Sequence, residues 1–119
     1  MQTYSGSCHC GAVSFQVSGV PEEFTTCDCS ICAKKNALMW KVPEDRLTIL
    51  AGESKLTRYQ WNTRIAEHFF CSICGIYTFH RKRLMPDQFG VNVFCLEDFQ
   101  IDGIPVISTE GISLLVEPH

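Results

Sequence analysis

No stretch of this chain approaches the roughly 20 consecutive apolar residues that a membrane-spanning helix needs. Its opening residues, Met1-Gln2-Thr3-Tyr4-Ser5-Gly6-Ser7, carry neither the charged region nor the apolar core of a secretory signal. Basic residues are scarce as well: 10 Lys and Arg stand against 13 Asp and Glu, a formal net charge of −3. That balance excludes the basic surface on which general affinity for nucleic acid rests. Repeats, linkers and low-complexity tracts are missing, so the 119 residues read as one domain, 1–119. The expectation is a cytoplasmic protein with no membrane or nucleic-acid partner.

Cysteine is the residue in excess. Seven of the 8 cysteines fall into three tight clusters: Cys8-His9-Cys10, Cys27-Asp28-Cys29-Ser30-Ile31-Cys32 and Cys71-Ser72-Ile73-Cys74. Such spacings let neighbouring sulfurs share one tetrahedral ion at about 2.3 Å each. Two cysteines with a single residue between them are poorly placed to bridge each other. A reducing compartment leaves thiols free for metal rather than for disulfides, so the clusters read as zinc ligands.

The hydrophobic pattern is that of β-structure. Val13, Phe15 and Val17 alternate with Ser14, Gln16 and Ser18, the period-two signature of a half-buried strand. Further strands are expected over Leu47–Leu50, Lys55–Tyr59 and Ile65–Phe70, with a turn at Ala51-Gly52. Phe89, Val91, Val93 and Cys95 would share one face of another strand, and Ile112–Val116 would close the set. Only Ser30–Asn36 suggests a short helical turn. The fold class is all-β, with zinc knuckles at strand ends.

A closed structural zinc site takes four protein ligands, whereas a catalytic one keeps three and leaves a position open. Seven thiols divide as four plus three, hence two Zn(2+) per chain. Spacing alone allows two partitions. Cys29/Cys32 with Cys71/Cys74 would leave Cys8, Cys10 and Cys27. Cys8/Cys10 with Cys71/Cys74 would leave Cys27, Cys29 and Cys32, three ligands within six residues, and spacing favours this one.

The segments Gly6-Ser7-Cys8-His9-Cys10-Gly11-Ala12-Val13-Ser14-Phe15, Cys27-Asp28-Cys29-Ser30-Ile31-Cys32 and Phe70-Cys71-Ser72-Ile73-Cys74-Gly75 resemble the glutathione-dependent formaldehyde-activating (GFA) family, also called centromere-protein-V-like. So do Tyr77-Thr78-Phe79-His80 and Gly90-Val91-Asn92-Val93. The resemblance implies a β-tent of small antiparallel sheets pinned at the apex by zinc. It implies Cys8, Cys10, Cys71 and Cys74 as the structural zinc ligands and Cys27, Cys29 and Cys32 as the catalytic ones. It also implies a carbon–sulfur lyase or synthase that joins glutathione to formaldehyde as S-hydroxymethylglutathione. One departure is Ala33, where family members commonly carry a basic residue or Gln.

The chemistry of a three-thiolate site can be argued without the family. Three thiolates weaken the zinc as a Lewis acid, and the open position suits a soft ligand such as glutathione or another thiol. Coordination deprotonates that thiol and supplies a nucleophile for a small aldehyde. His80 could donate a proton to a developing alkoxide, and Asn92 could donate to a substrate oxygen. The plainer readings are a satisfied sheet histidine and a strand-packing amide.

Other residues have plain assignments. Cys95 reads as a small buried hydrophobe, His68 as a strand surface residue, and His9 as a hydrogen bonder beside the knuckle. Trp40 reads as packing or pocket wall. Arg81-Lys82-Arg83 is a solvated loop or a local anion contact. Gly103-Ile104-Pro105 and the C-terminal strand could serve a homodimer edge. Two rival classes stand beside the lyase: a zinc-braced β-tent binding module, and a redox enzyme of the methionine-sulfoxide-reductase type. The second would need Cys95 as its redox thiol.

Overall fold

The computed structural model describes residues 2–27, 34, 37–60, 67–81 and 87–109. The chain is all-β. Among the described residues ten strands run in order: β1 (Gln2–Ser7), β2 (Ser14–Gly19), β3 (Phe24–Cys27), β4 (Met39–Pro43), β5 (Leu47–Ala51), β6 (Leu56–Tyr59), β7 (Glu67–Cys71), β8 (Tyr77–Arg81), β9 (Gln88–Asn92) and β10 (Val106–Thr109). They form a three-stranded sheet in the order β1-β2-β5 and a seven-stranded sheet in the order β10-β3-β4-β9-β8-β7-β6. The pairings are antiparallel except that of β3 with β10, which is parallel and starts from Val106 opposite Phe24. Among the described residues no helix is long and apolar enough to cross a membrane.

Alternation in the sequence decides which face is buried. Phe15 and Val17 of β2 are fully buried while Gln16 between them is exposed. They pack with Phe24, Trp40, Val42, Phe79, Val91 and Val93 into one core between the sheets. Phe15 meets Phe79 edge-on at 5.5 Å between ring centres, so one aromatic pair joins the two sheets.

The expected strands over Leu47–Leu50 and Lys55–Tyr59 are β5 and β6. The turn between them is at Gly52, whose φ of 80° is left-handed. The strand through Phe89 is shorter than the alternation predicts. It stops at Asn92, whose side chain accepts a hydrogen bond from the Phe94 N–H and turns Val93–Cys95 into a 3-10 turn. Val93 and Cys95 stay buried while Phe94 is exposed, so the burial pattern survives the change of backbone. The expected strand over Ile112–Val116, Ile65 and Ala66, and the helical turn over Ser30–Asn36 apart from Lys34, lie outside the described residues.

The two sheets come together at one end of the molecule. There the β1–β2 turn carries Cys8 and Cys10, and the β7–β8 turn carries Cys71 and Cys74. Pairing registers set Thr25 beside Met39, Met39 beside Asn92, and Phe70 beside Tyr77. Hence β3, β9 and β7 finish, and β4 and β8 begin, at that same end of the seven-stranded sheet.

Candidate metal centre

The two cysteine turns are built alike. In the first, the Cys8 N–H donates to the Val13 carbonyl and the Gly11 N–H returns to the Cys8 carbonyl. In the second, the Cys71 N–H donates to the Ile76 carbonyl and the Gly75 N–H to the Cys71 carbonyl. Each turn ends on a glycine at positive φ, 81° at Gly11 and 79° at Gly75, a conformation that costs a residue with a Cβ strain. The Cys-x-Cys-Gly and Cys-x-x-Cys-Gly strings are therefore turn signals as well as ligand signals.

These turns bring four thiols to one point. The sulfurs of Cys8, Cys10, Cys71 and Cys74 all lie within 4.8 Å of one another. Cys10 Sγ is 3.6 Å from Cys8 Sγ and 3.7 Å from Cys71 Sγ. Sulfurs at about 2.3 Å from a tetrahedral ion stand about 3.8 Å apart, so the spacing fits a four-thiolate zinc. Backbone donors already face the sulfurs, Val13 N–H to Cys8 and Ile73 N–H to Cys71, both at 3.4 Å. Cys8 and Cys71 are buried, Cys74 is partly covered, and Cys10 is exposed.

Cys8, Cys10 and Cys74 influence one another's titration. Burial pushes Cys8 up, but the Val13 N–H and hydrogen bonds from Cys10 and Cys71 outweigh it and the net shift is downward. At Cys74 burial again raises, while the backbone N–H groups of Cys10 and Ile76 and hydrogen bonds from Cys71 and Cys10 lower the thiol to about 6. Cys10 is helped by the Ala12 N–H, yet burial and the three neighbouring sulfurs push it up to about 11. The cluster thus sheds its first protons below the usual thiol range and its last above it, as coupled like charges must. A divalent cation removes that conflict, since binding displaces the protons outright.

Of the second cluster, Cys27 is the last residue of β3, and its backbone pairs with Thr109. Cys29 and Cys32 lie outside the described residues. Register nonetheless fixes where this segment leaves the sheet: level with Phe94 and Cys71, at the end that carries the four-thiol cluster. At about 4.8 Å per strand and 3.3 Å per residue, Asn92 lies roughly 12 Å from Cys27 between Cα atoms, and His80 roughly 20 Å.

The neighbouring candidates have defined surroundings. The Asn92 side-chain N–H donates to the Tyr77 carbonyl at 2.9 Å while its oxygen accepts from Phe94. The Cys95 S–H donates to the same Tyr77 carbonyl, and burial, then the charges of Cys8 and Cys74, push its thiol up to about 11. The His80 ring lies against Gly90 and stacks on His68 at 5.3 Å between ring centres.

Two plain assignments change, those of His68 and Arg81, while Trp40 keeps its own. His68 is not a surface residue: it is 5% exposed, bonded through Nδ1 to the Tyr77 hydroxyl and close to Tyr59. A strand histidine beside an exposed-looking alternation gave no sign of the aromatic neighbours that cover it. Arg81 is bound within the protein rather than poised for an anion, pairing with Glu44 at 2.8 Å and Glu67 at 3.7 Å above the Phe89 ring. Lys82 and Arg83 lie outside the described residues. Trp40 belongs to the core, and its edge walls a cavity of about 230 Å³ shared with Ser18, Gly19, Lys41 and Arg46.

Comparison with known proteins agrees with this layout. The family model described as "Glutathione-dependent formaldehyde-activating enzyme" matches residues 3–107. A Halomonas elongata protein named "Putative glutathione-dependent formaldehyde-activating enzyme" is 39% identical over 80 residues, which cover 59% of this chain and 50% of that one. The chain therefore spans about half the length of this curated relative. A Rhodobacter sphaeroides protein solved by crystallography is 38% identical, with a TM-score of 0.79, over 86% of this chain and 98% of its own. With both cysteine turns inside a match that covers most of its length, the chain belongs to the glutathione-dependent formaldehyde-activating enzyme family.

Proposed function

We propose that this chain is a zinc-dependent carbon–sulfur lyase or synthase, joining a glutathione-like thiol to a small aldehyde such as formaldehyde in an S-hydroxymethyl adduct. The observation that carries the reading is the family match across residues 3–107, which includes all seven clustered cysteines. In this reading Cys8, Cys10, Cys71 and Cys74 hold a closed structural zinc that ties the two sheets together. Cys27, Cys29 and Cys32 hold a second zinc with one open position.

A zinc on three thiolates would keep an incoming thiol deprotonated near neutral pH. The chain's own residues provide the rest. β3 ends at Cys27 and β4 begins at Met39, so the first of the three cysteines leaves the sheet at the end that carries the four-thiol cluster. The new bond forms between the substrate sulfur and the aldehyde carbon, and the aldehyde oxygen takes a proton. Asn92 and His80 are the proposed polar partners of that oxygen, and register makes Asn92 the stronger assignment of the two. A compartment rich in reduced thiol, such as the cytoplasm, suits both the ligands and the substrate.

The competing redox assignment needs a reactive thiol at Cys95. That side chain is 9% exposed, hydrogen-bonded and raised well above neutrality, which opposes nucleophilic use. The lyase reading is tested by following adduct formation against the uncatalysed background with wild-type protein and with Cys29→Ala. Turnover lost with the circular dichroism spectrum kept supports it. Turnover that survives Cys29→Ala rules out the assigned site.

A further inference from the structure

The four-thiol cluster is asymmetric toward solvent, and that asymmetry has a chemical consequence. Cys8 and Cys71 are 3% and 0% exposed, each sulfur covered by chain and met by a backbone N–H. Cys10 is the exposed member. It is also the thiol with a close neighbour in each turn, Cys8 at 3.6 Å and Cys71 at 3.7 Å. An oxidant arriving from solvent meets the Cys10 sulfur first and leaves it beside a partner that can complete a disulfide. We infer that Cys10 is an oxidative modification site, and that Cys71 closes a disulfide onto it and so expels the metal joining the two sheets.

The choice of Cys71 follows from chain geometry. Cys8 is separated from Cys10 by one residue, a spacing ill suited to the Cα separation and dihedral a disulfide requires. Cys71 comes from another turn, 61 residues away in sequence, and faces Cys10 across the gap. The oxidant is hydrogen peroxide, whose two oxygens leave as two hydroxides. In zinc-loaded protein coordination would hold Cys10 as the thiolate, which attacks the peroxide O–O bond and gives a sulfenic acid and one hydroxide. The Cys71 thiolate then attacks the Cys10 sulfur, forming the S–S bond and releasing a second hydroxide. Two electrons pass from the two sulfurs to the peroxide, and Cys8 and Cys74 alone hold the ion too weakly to keep it.

This modification is independent of the thiol–aldehyde reading, because it concerns the closed cluster rather than the three-cysteine segment. The test treats zinc-loaded protein with hydrogen peroxide. Metal release is read with a chromophoric chelator, and the remaining thiols are alkylated and mapped by peptide mass spectrometry. The expected result is that Cys10 is the first residue of its cluster to lose alkylation, followed by a Cys10–Cys71 linked peptide. Two thiols should disappear for each zinc released from that cluster. Cys10→His, which keeps a fourth ligand while removing the oxidisable sulfur, should retain that zinc at peroxide levels that strip the wild type. Oxidation beginning at Cys8, Cys71 or Cys74, a disulfide to any partner other than Cys71, or a cluster that keeps its metal would overturn the inference. Peptide mapping of the wild type decides it even if the variant does not fold.

Discussion

Cys10 and Cys71 are 61 positions apart in sequence, yet their sulfurs stand 3.7 Å from each other. One belongs to the turn that closes the β1–β2 hairpin of the small sheet, the other to the end of β7 in the large sheet. Their meeting makes the cluster a tie between two sheets that otherwise share the core around Phe15 and Phe79.

Cutting that tie should be costly. In the proposed closed site, Cys71→Ser would remove a fully buried ligand and leave three sulfurs to hold the ion. Metal loss with a destabilisation of at least about 3 kcal/mol is expected, a fall of roughly 12 °C or more in Tm. Thermal unfolding with and without a chelator checks this, since the chelator should lower the wild-type Tm and leave the variant nearly unchanged.

Gly52 supports the first turn from outside. Its φ is 80°, and a Cβ there would sit 1.9 Å from the Ala12 carbonyl oxygen, a backbone atom that cannot rotate away. Gly52→Ala should cost about 2 kcal/mol or more and shift the Cys8–Cys10 turn, weakening metal retention. Chelator competition against the wild type measures the second effect separately from the first.

The thiols also predict a pH response of the metal-free protein. Cys74 is lowered from 9.0 to about 6, so its ionisation favours the fold fully above pH 9 and progressively less as pH falls to about 6. Cys10 is raised to about 11 and works the other way, favouring the fold below pH 9 and losing that contribution as pH climbs through 11. Thiolate absorbance of the apo protein should therefore appear in at least two separated steps, one near 6 and one near 11. A single step near 9 would contradict the coupled cluster.

Asn92 separates a structural from a catalytic role. Its amide bonds the Tyr77 carbonyl and the Phe94 N–H, so Asn92→Ala should cost about 1 to 3 kcal/mol by stranding both groups. If it also meets the substrate oxygen, kcat should fall at temperatures where the variant remains folded, with KM for the thiol little changed. A pure loss of Tm with kcat intact would confine it to the turn.

Much of this was legible because cysteine spacing and strand alternation are local properties. Val13, Phe15 and Val17 marked a buried face, and the cysteine spacings at 8/10 and 71/74 marked a group able to hold a metal. Which clusters meet was not local. Two partitions satisfied the spacing, and only the register of β7 beside β8, with the β1–β2 turn folded over it, sets Cys71 and Cys74 against Cys8 and Cys10. The parallel pairing of β10 with β3 joins segments such as Thr26 and Ser108, 82 positions apart, which no short-range pattern encodes. The end of β9 was missed because Asn92 was read for its face and not for its habit of capping a turn. His68 was misplaced because its burial depends on Tyr59, Tyr77 and His80 from neighbouring strands.

The central claim is an open, thiol-binding zinc site on Cys27, Cys29 and Cys32 beside a closed one on Cys8, Cys10, Cys71 and Cys74. Native mass spectrometry of freshly purified protein, with and without glutathione, tests it most directly. The account predicts two zinc ions per chain and a glutathione adduct that disappears in Cys29→Ala together with one of the ions. A single tightly held zinc and no adduct would contradict it, leaving the cysteine turns as the brace of a binding domain.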